Sequence, residues 1–194
     1  MKILVLAPHT DDGQFGCGGT IPKMTEEGHE VREAAFSFTD TLGDEWQAAM
    51  KNAGVGKSYP FVLPVRYFHE RRQDVLNHMI GIRDEYDPDL VFCPSSFDTH
   101  QDHEVVRQEA FRAFKHTSIL GYELPWNNID FRATYFVELS IKNMLRKKGA
   151  CACYASQAKR SYTSPVYIAA WARSRGAQIG VEFAEAFEVI RLIQ

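Results

Sequence analysis

The residues best suited to chemistry in this chain are His9, Asp11 and Asp12, set directly after the apolar run Ile3-Leu4-Val5-Leu6. A short run of branched apolar residues closed by Pro8 and Gly13 reads as a buried parallel strand. It delivers the three residues to its carboxyl end, where open α/β sheets place their sites. An imidazole and a carboxylate three residues apart are suitable zinc ligands, and the adjacent carboxylate is left free to handle protons. A second buried run, Pro88 to Pro94, leads through a polar loop into Asp98-Thr99-His100-Gln101-Asp102-His103. If Asp98 or Thr99 caps the helix that follows, His100 and His103 fall at i and i+3 on one face of its first turn. The two distant segments can then build a site with three protein ligands and an open position.

The elements that must position these residues alternate along the chain. After the first strand, Gly13, Gly16, Gly18 and Gly19 read as a flexible turn, and Thr20 caps a helix running to about Gly28. Strands are expected at Glu30 to Phe38, Val65 to Phe68, Ile119 to Glu123 and Thr134 to Leu139, with a terminal strand or bent edge at Phe183 to Ile190. Helices are expected around Trp46 to Ala53 (stopped by Gly54), over Glu70 to Tyr86, from His100 to Phe114, after Ser140, and from Ser164-Pro165 to Gly176. Strands alternating with helices predict an α/β fold, a Rossmann-like three-layer α/β/α sandwich with a mainly parallel sheet. With no repeat, linker or low-complexity tract, residues 1–194 read as one domain.

Composition excludes several classes. The formal charge of −3 gives no reason to expect nucleic acid or an anionic membrane as partner, and no run of about 18 apolar residues or signal peptide is present. The expectation is a soluble cytoplasmic protein. Cys17, Cys93, Cys151 and Cys153 fit no zinc-finger spacing and read as reduced and mostly buried. The glycines after the first strand lack the dinucleotide-fingerprint spacing, so they are read as letting a helix N-terminus approach the metal loop. The basic helix with Lys142, Arg146, Lys147 and Lys148 is read as a solvated face. His29, His69, His78 and His116 are read as structural or exposed.

His9-Thr10-Asp11-Asp12 with Gly16-Cys17-Gly18-Gly19-Thr20, followed later by His100-Gln101-Asp102-His103, resembles the LmbE-like or PIG-L family of zinc-dependent N-deacetylases. Tyr122 to Asn127 and Ala172 to Gly176 look like segments of family members as well. The resemblance implies the same Rossmann-like architecture and removal of an acetyl group from an N-acetylated amino sugar, such as an N-acetylglucosamine derivative. Spacing and the family motifs together assign His9, Asp12 and His103 as metal ligands, with Zn2+ the expected ion and Fe2+ the alternative. Asp11 is the expected general base. The resemblance gives His100 the role of stabilising the oxyanion, as an imidazolium, or of acting as acid. Asp102 either orients a histidine or stabilises the helix N-terminus. Trp126 either stacks on the sugar or packs under its loop. The chain departs from the family pattern at Gln14 and at Leu42, where relatives carry a substrate-holding Arg, so Arg66 or Arg72 is expected to grip the substrate instead. Relatives are often trimers or hexamers. Two other readings remain open: a catalytically silent ligand-binding or assembly protein retaining a structural metal, and a nucleotide-binding oxidoreductase.

Overall fold

The computed structural model describes residues 1–194 apart from the side chain of Thr41. A seven-stranded sheet runs through it in the order β3-β2-β1-β4-β5-β7-β6. β1 (Lys2–Ala7), β2 (Glu30–Ala35), β3 (Lys57–Pro60), β4 (Leu90–Pro94) and β5 (Ser118–Tyr122) pair in parallel. β7 (Ala184–Arg191) runs antiparallel between β5 and β6 (Tyr135–Glu138). The expected mainly parallel α/β sandwich is the fold observed.

Strand β1, inside the sheet, shows why the sheet is covered on both faces. Alternate residues of β1 point to opposite sides, and those from Ile3 to Ala7 are all apolar. Ile3 and Val5 enter a core shared with α1 (Asp12–Cys17), α2 (Thr20–Glu26), α3 (Asp40–Ala53), α6 (Ile141–Ala152) and α7 (Pro165–Ala177). Leu4 and Leu6 enter a second core with α4 (Arg72–Tyr86) and α5 (Gln101–Ala113). No helix among the described residues is long and apolar enough to cross a membrane. All four cysteines are free, and Cys17, Cys93 and Cys151 are buried as expected.

Four local expectations are corrected. The third strand is Lys57–Pro60, not Val65 to Phe68. Pro64 breaks the chain, Arg66 adopts a left-handed φ of 72°, and Phe68 begins a 3-10 turn (Phe68–Arg71), so that stretch cannot extend a ladder. The glycine turn after β1 is the short helix α1, and its glycines serve the sheet side rather than the metal loop. A Cβ on Gly16 would sit 2.6 Å from the Tyr122 ring, and the backbone N–H groups of Gly19 and Thr20 reach the Glu185 carboxylate at 2.9 and 2.7 Å. Gly176 lies inside the last turn of α7 rather than past it, and it must be glycine because a Cβ would sit 2.7 Å from the Val181 carbonyl oxygen. Finally, α6 is not solvated all along its basic face. The Lys147 side chain is buried, donating to Glu185 at 2.5 Å and to the Phe15 carbonyl at 2.6 Å. Ser140 does cap this helix, in a reciprocal box with Asn143.

Candidate metal centre and its cleft

The chain leaves β1 toward β2 on one side and β4 toward β5 on the other, so a crevice opens between the carboxyl ends of β1 and β4. His9, Asp11 and Asp12 follow β1 there, and the segment after β4 brings His100 and His103. The N-cap of α5 is His100 itself, not Asp98 or Thr99. Its Nδ1 accepts the Asp102 backbone N–H at 3.2 Å, which leaves the ring hydrogen on Nε2. Asp98 in turn accepts the His100 backbone N–H at 2.9 Å.

Three donor atoms form a nearly equilateral triangle. Asp12 Oδ2 lies 3.2 Å from His9 Nδ1 and 3.2 Å from His103 Nε2, and the two nitrogens are 3.2 Å apart. A tetrahedral ion with ligands at about 2.0 Å requires donors about 3.3 Å apart, so the triangle fits one face of such a shell. Ring nitrogens of His9, His100 and His103 also come within 4.8 Å of one another. His100 is less buried than Asp12. The remaining nitrogens of the two inner histidines are held by carboxylates: His9 Nε2 donates to Asp102 at 3.1 Å, and His103 Nδ1 to Asp98 at 2.7 Å. Such pairs fix the tautomer and ring orientation that ligation needs.

The electrostatics favour positive charge at this spot. Burial pushes the His9 imidazole down, but the Asp12 charge and hydrogen bonds to Asp102 and Asp12 outweigh it and hold it at about 9. The same contest raises His103 to about 10, with Asp12 and Asp98 supplying the lift. Burial would raise Asp12, yet the two histidines hold it well below the usual carboxylate range. Asp11 moves the other way: burial first, then the Asp12 charge, raise it to about 6. His100 is pushed down by burial and by the charges of His103 and His9. That shift works against the expected imidazolium and toward a neutral ring with its hydrogen on Nε2.

The cleft over these residues holds about 360 Å³. Arg66, Leu42 and Trp126 line it, together with Gln157, Arg160 and Tyr162 from the segment between α6 and α7. The Trp126 ring stacks on Tyr162 at 3.8 Å and meets Phe15 edge-on, so it both packs and forms cleft wall. Arg72 does not line the cleft, because its guanidinium is bound to Glu109 at 2.5 and 2.9 Å. Gln14 is buried behind the site, bridging the Glu33 carboxyl and the Tyr154 hydroxyl. A larger depression of about 930 Å³ at the amino ends of β4 and β5 contains none of these residues.

Sequence reasoning missed Asp98 as a partner of His103. Its signal is a carboxylate five residues before the histidine, which a capping role had absorbed. Arg160 and Tyr162 carried no signal, since their segment has neither periodicity nor motif.

Comparison with known proteins places this architecture. The chain is 27% identical over 151 residues to the uncharacterized deacetylase YaiS of Escherichia coli, covering 69% of this chain and 80% of that protein. The N,N'-diacetylchitobiose deacetylase of Pyrococcus horikoshii superposes with a TM-score of 0.75 at 21% identity, over 97% of this chain and 83% of that one. A 4-carboxy-2-hydroxymuconate hydratase, GalB of Pseudomonas putida, shares the fold with a TM-score of 0.83 at 18% identity, over 100% and 98% of the two chains. The fold thus hosts more than one chemistry, and structural likeness at such identities speaks only to architecture. Sequence decides the matter. Residues 4–114, which run from β1 through α5 and carry every donor of the triangle, match the PIG-L family, GlcNAc-PI de-N-acetylase, and the chain belongs to that family.

Proposed function

We propose that this protein is a metal-dependent hydrolase that removes the N-acetyl group from an N-acetylated amino sugar. The observation that carries the reading is the 3.2 Å triangle of His9 Nδ1, Asp12 Oδ2 and His103 Nε2, with the unshared Asp11 carboxyl beside it. His9, Asp12 and His103 would hold the ion, zinc by the donor set or iron in its place. When bound, a divalent ion polarises the amide carbonyl and lowers the pKa of the attacking water to near 7.

The chain's own groups then divide the proton work. Asp11 takes the proton from the attacking water as the C–O bond forms and gives it to the amide nitrogen as the C–N bond breaks, releasing acetate and the free amine. Its elevated pKa of about 6 suits both directions of that transfer near neutral pH. The Nε2–H of His100 donates to the oxyanion that develops on the substrate carbonyl oxygen. Asp102 and Asp98 hold His9 and His103 in register. Trp126 and Tyr162 offer an aromatic wall to the sugar ring.

The test is acetate release from a panel of N-acetylglucosamine derivatives with zinc supplied. Release that depends on Asp11 is expected. No release above an Asp11→Ala control on any member would overturn the reading and leave a binding protein in its place.

A further inference from the structure

Resting on the deacetylase reading, we propose that Tyr154 is a positioning residue for the base: its hydroxyl holds the Thr10–Asp11 peptide so that the Asp11 carboxyl faces the reacting centre. Tyr154 stands just past α6, outside the family-matching residues 4–114. Its hydroxyl donates to the Thr10 carbonyl at 2.6 Å and lies 2.6 Å from Gln14 Oε1. One oxygen thus touches residues on both sides of the Asp11-Asp12 pair. The carbonyls of His9 and Asp11 take the backbone N–H groups of Asp12 and Phe15 at 3.3 and 3.1 Å. Among the described residues, Tyr154 alone donates to the carbonyl between them, that of Thr10. A peptide unit is planar, so fixing its oxygen also fixes the direction in which the Asp11 nitrogen and Cα leave it.

The two neighbouring carboxylates depend on this tether unequally. Asp11 is the N-cap of α1, yet its side chain accepts no capping hydrogen bond, so the backbone that carries it sets its direction. Asp12 has anchors of its own, since its Oδ2 accepts the His9 backbone N–H at 2.8 Å and sits between the His9 and His103 imidazoles. Loss of the Tyr154 hydroxyl should therefore displace the base and spare the triangle. The tyrosine itself is firmly held. Its ring is buried and packs against Phe15, with centroids 6.3 Å apart. Gln14 passes the contact on to Glu33 at 2.8 Å, and Trp46 holds that carboxyl from α3 at 2.9 Å. Burial also pushes the phenol well above its ordinary value, so the hydroxyl remains a donor.

The experiment is a double-substitution cycle on the zinc-supplemented protein, using the N-acetylglucosamine derivative that the wild type turns over fastest. Tyr154→Phe should lower kcat roughly tenfold, with KM within about twofold and bound zinc at the wild-type level. In an Asp11→Asn background the same substitution should change the residual rate by less than about twofold, because the group it positions is gone. Cys151→Ala, which removes a buried thiol donating to the Gln14 carbonyl at 3.6 Å, should leave kcat in place. Hydrogen exchange of residues 8–15 should quicken in Tyr154→Phe, a readout independent of turnover. Tyr154→His, which shortens the donor, is put through the same cycle where the phenylalanine variant does not fold. An equal loss in both backgrounds, a rise in KM alone, loss of zinc, or unchanged exchange would overturn the positioning role. A wild type that releases no acetate while residues 8–15 still loosen overturns the deacetylase reading, and the catalytic part of this proposal with it.

Discussion

Asp102 Oδ2 lies 3.1 Å from His9 Nε2 and accepts the Arg66 backbone N–H at 2.6 Å, so one buried carboxylate orients both a proposed metal donor and a cleft residue. Asp102→Asn keeps the shape and removes the charge that fixes the His9 tautomer. Zinc affinity, measured by chelator competition, should fall by roughly 10- to 100-fold. An unchanged affinity would reduce Asp102 to a helix-stabilising residue.

On the proposed mechanism Asp11 moves protons and holds no metal. Asp11→Asn should lower kcat by roughly 10²- to 10⁴-fold while the bound metal, measured by elemental analysis, stays at the wild-type level. Loss of metal along with activity would show that Asp11 is a ligand.

Glu33 is fully buried on β2, where it accepts from Gln14 Nε2 at 2.8 Å and Trp46 Nε1 at 2.9 Å. Burial outweighs those two donors and lifts it to about 8. Its folded pKa is above its unfolded value, so the native state binds this proton more tightly. The stabilisation is full below about pH 4.5 and is lost as pH rises toward 8. Glu33→Gln cannot ionise. Its unfolding free energy relative to wild type, from urea titrations, should rise by on the order of 3 kcal/mol between pH 5 and pH 8. A constant difference across that range would show that Glu33 is ionised throughout.

Gly16 has no room for a side chain against the Tyr122 ring, whose hydroxyl is itself fixed to the Leu6 carbonyl at 3.0 Å. Gly16→Ala should cost about 1–3 kcal/mol of stability by overpacking, read as a lowered melting temperature. A neutral outcome would mean that α1 can shift away from β5.

Much of this architecture is legible in the sequence because the signals are local. The apolar runs ending at Ala7 and Pro94 announce two buried strands, and the site residues follow them within a few positions. Gly54, at φ 82°, stops α3 where the sequence says it should. What was illegible depends on partners far along the chain. Lys147 looks like one more surface lysine until Glu185, 38 residues later, is folded against it. The expected strand at residues 65–68 fails because Arg66 is bent to suit Asp102, a demand that no propensity records. Arg72 looked as available as Arg66, and only the position of Glu109 decides between them.

The pairing of Glu185 with Lys147 and with the N-terminal turn of α2 also bears on how the molecule comes into being. The family-matching stretch ends at residue 114, yet the start of its second helix is completed by a carboxylate on the last strand. A nascent chain leaving the ribosome therefore carries all of the candidate site residues before it holds Glu185, the group that completes the start of α2. Excising residues 4–114 as a minimal enzyme would leave that helix end and the Phe15 carbonyl without their buried partners.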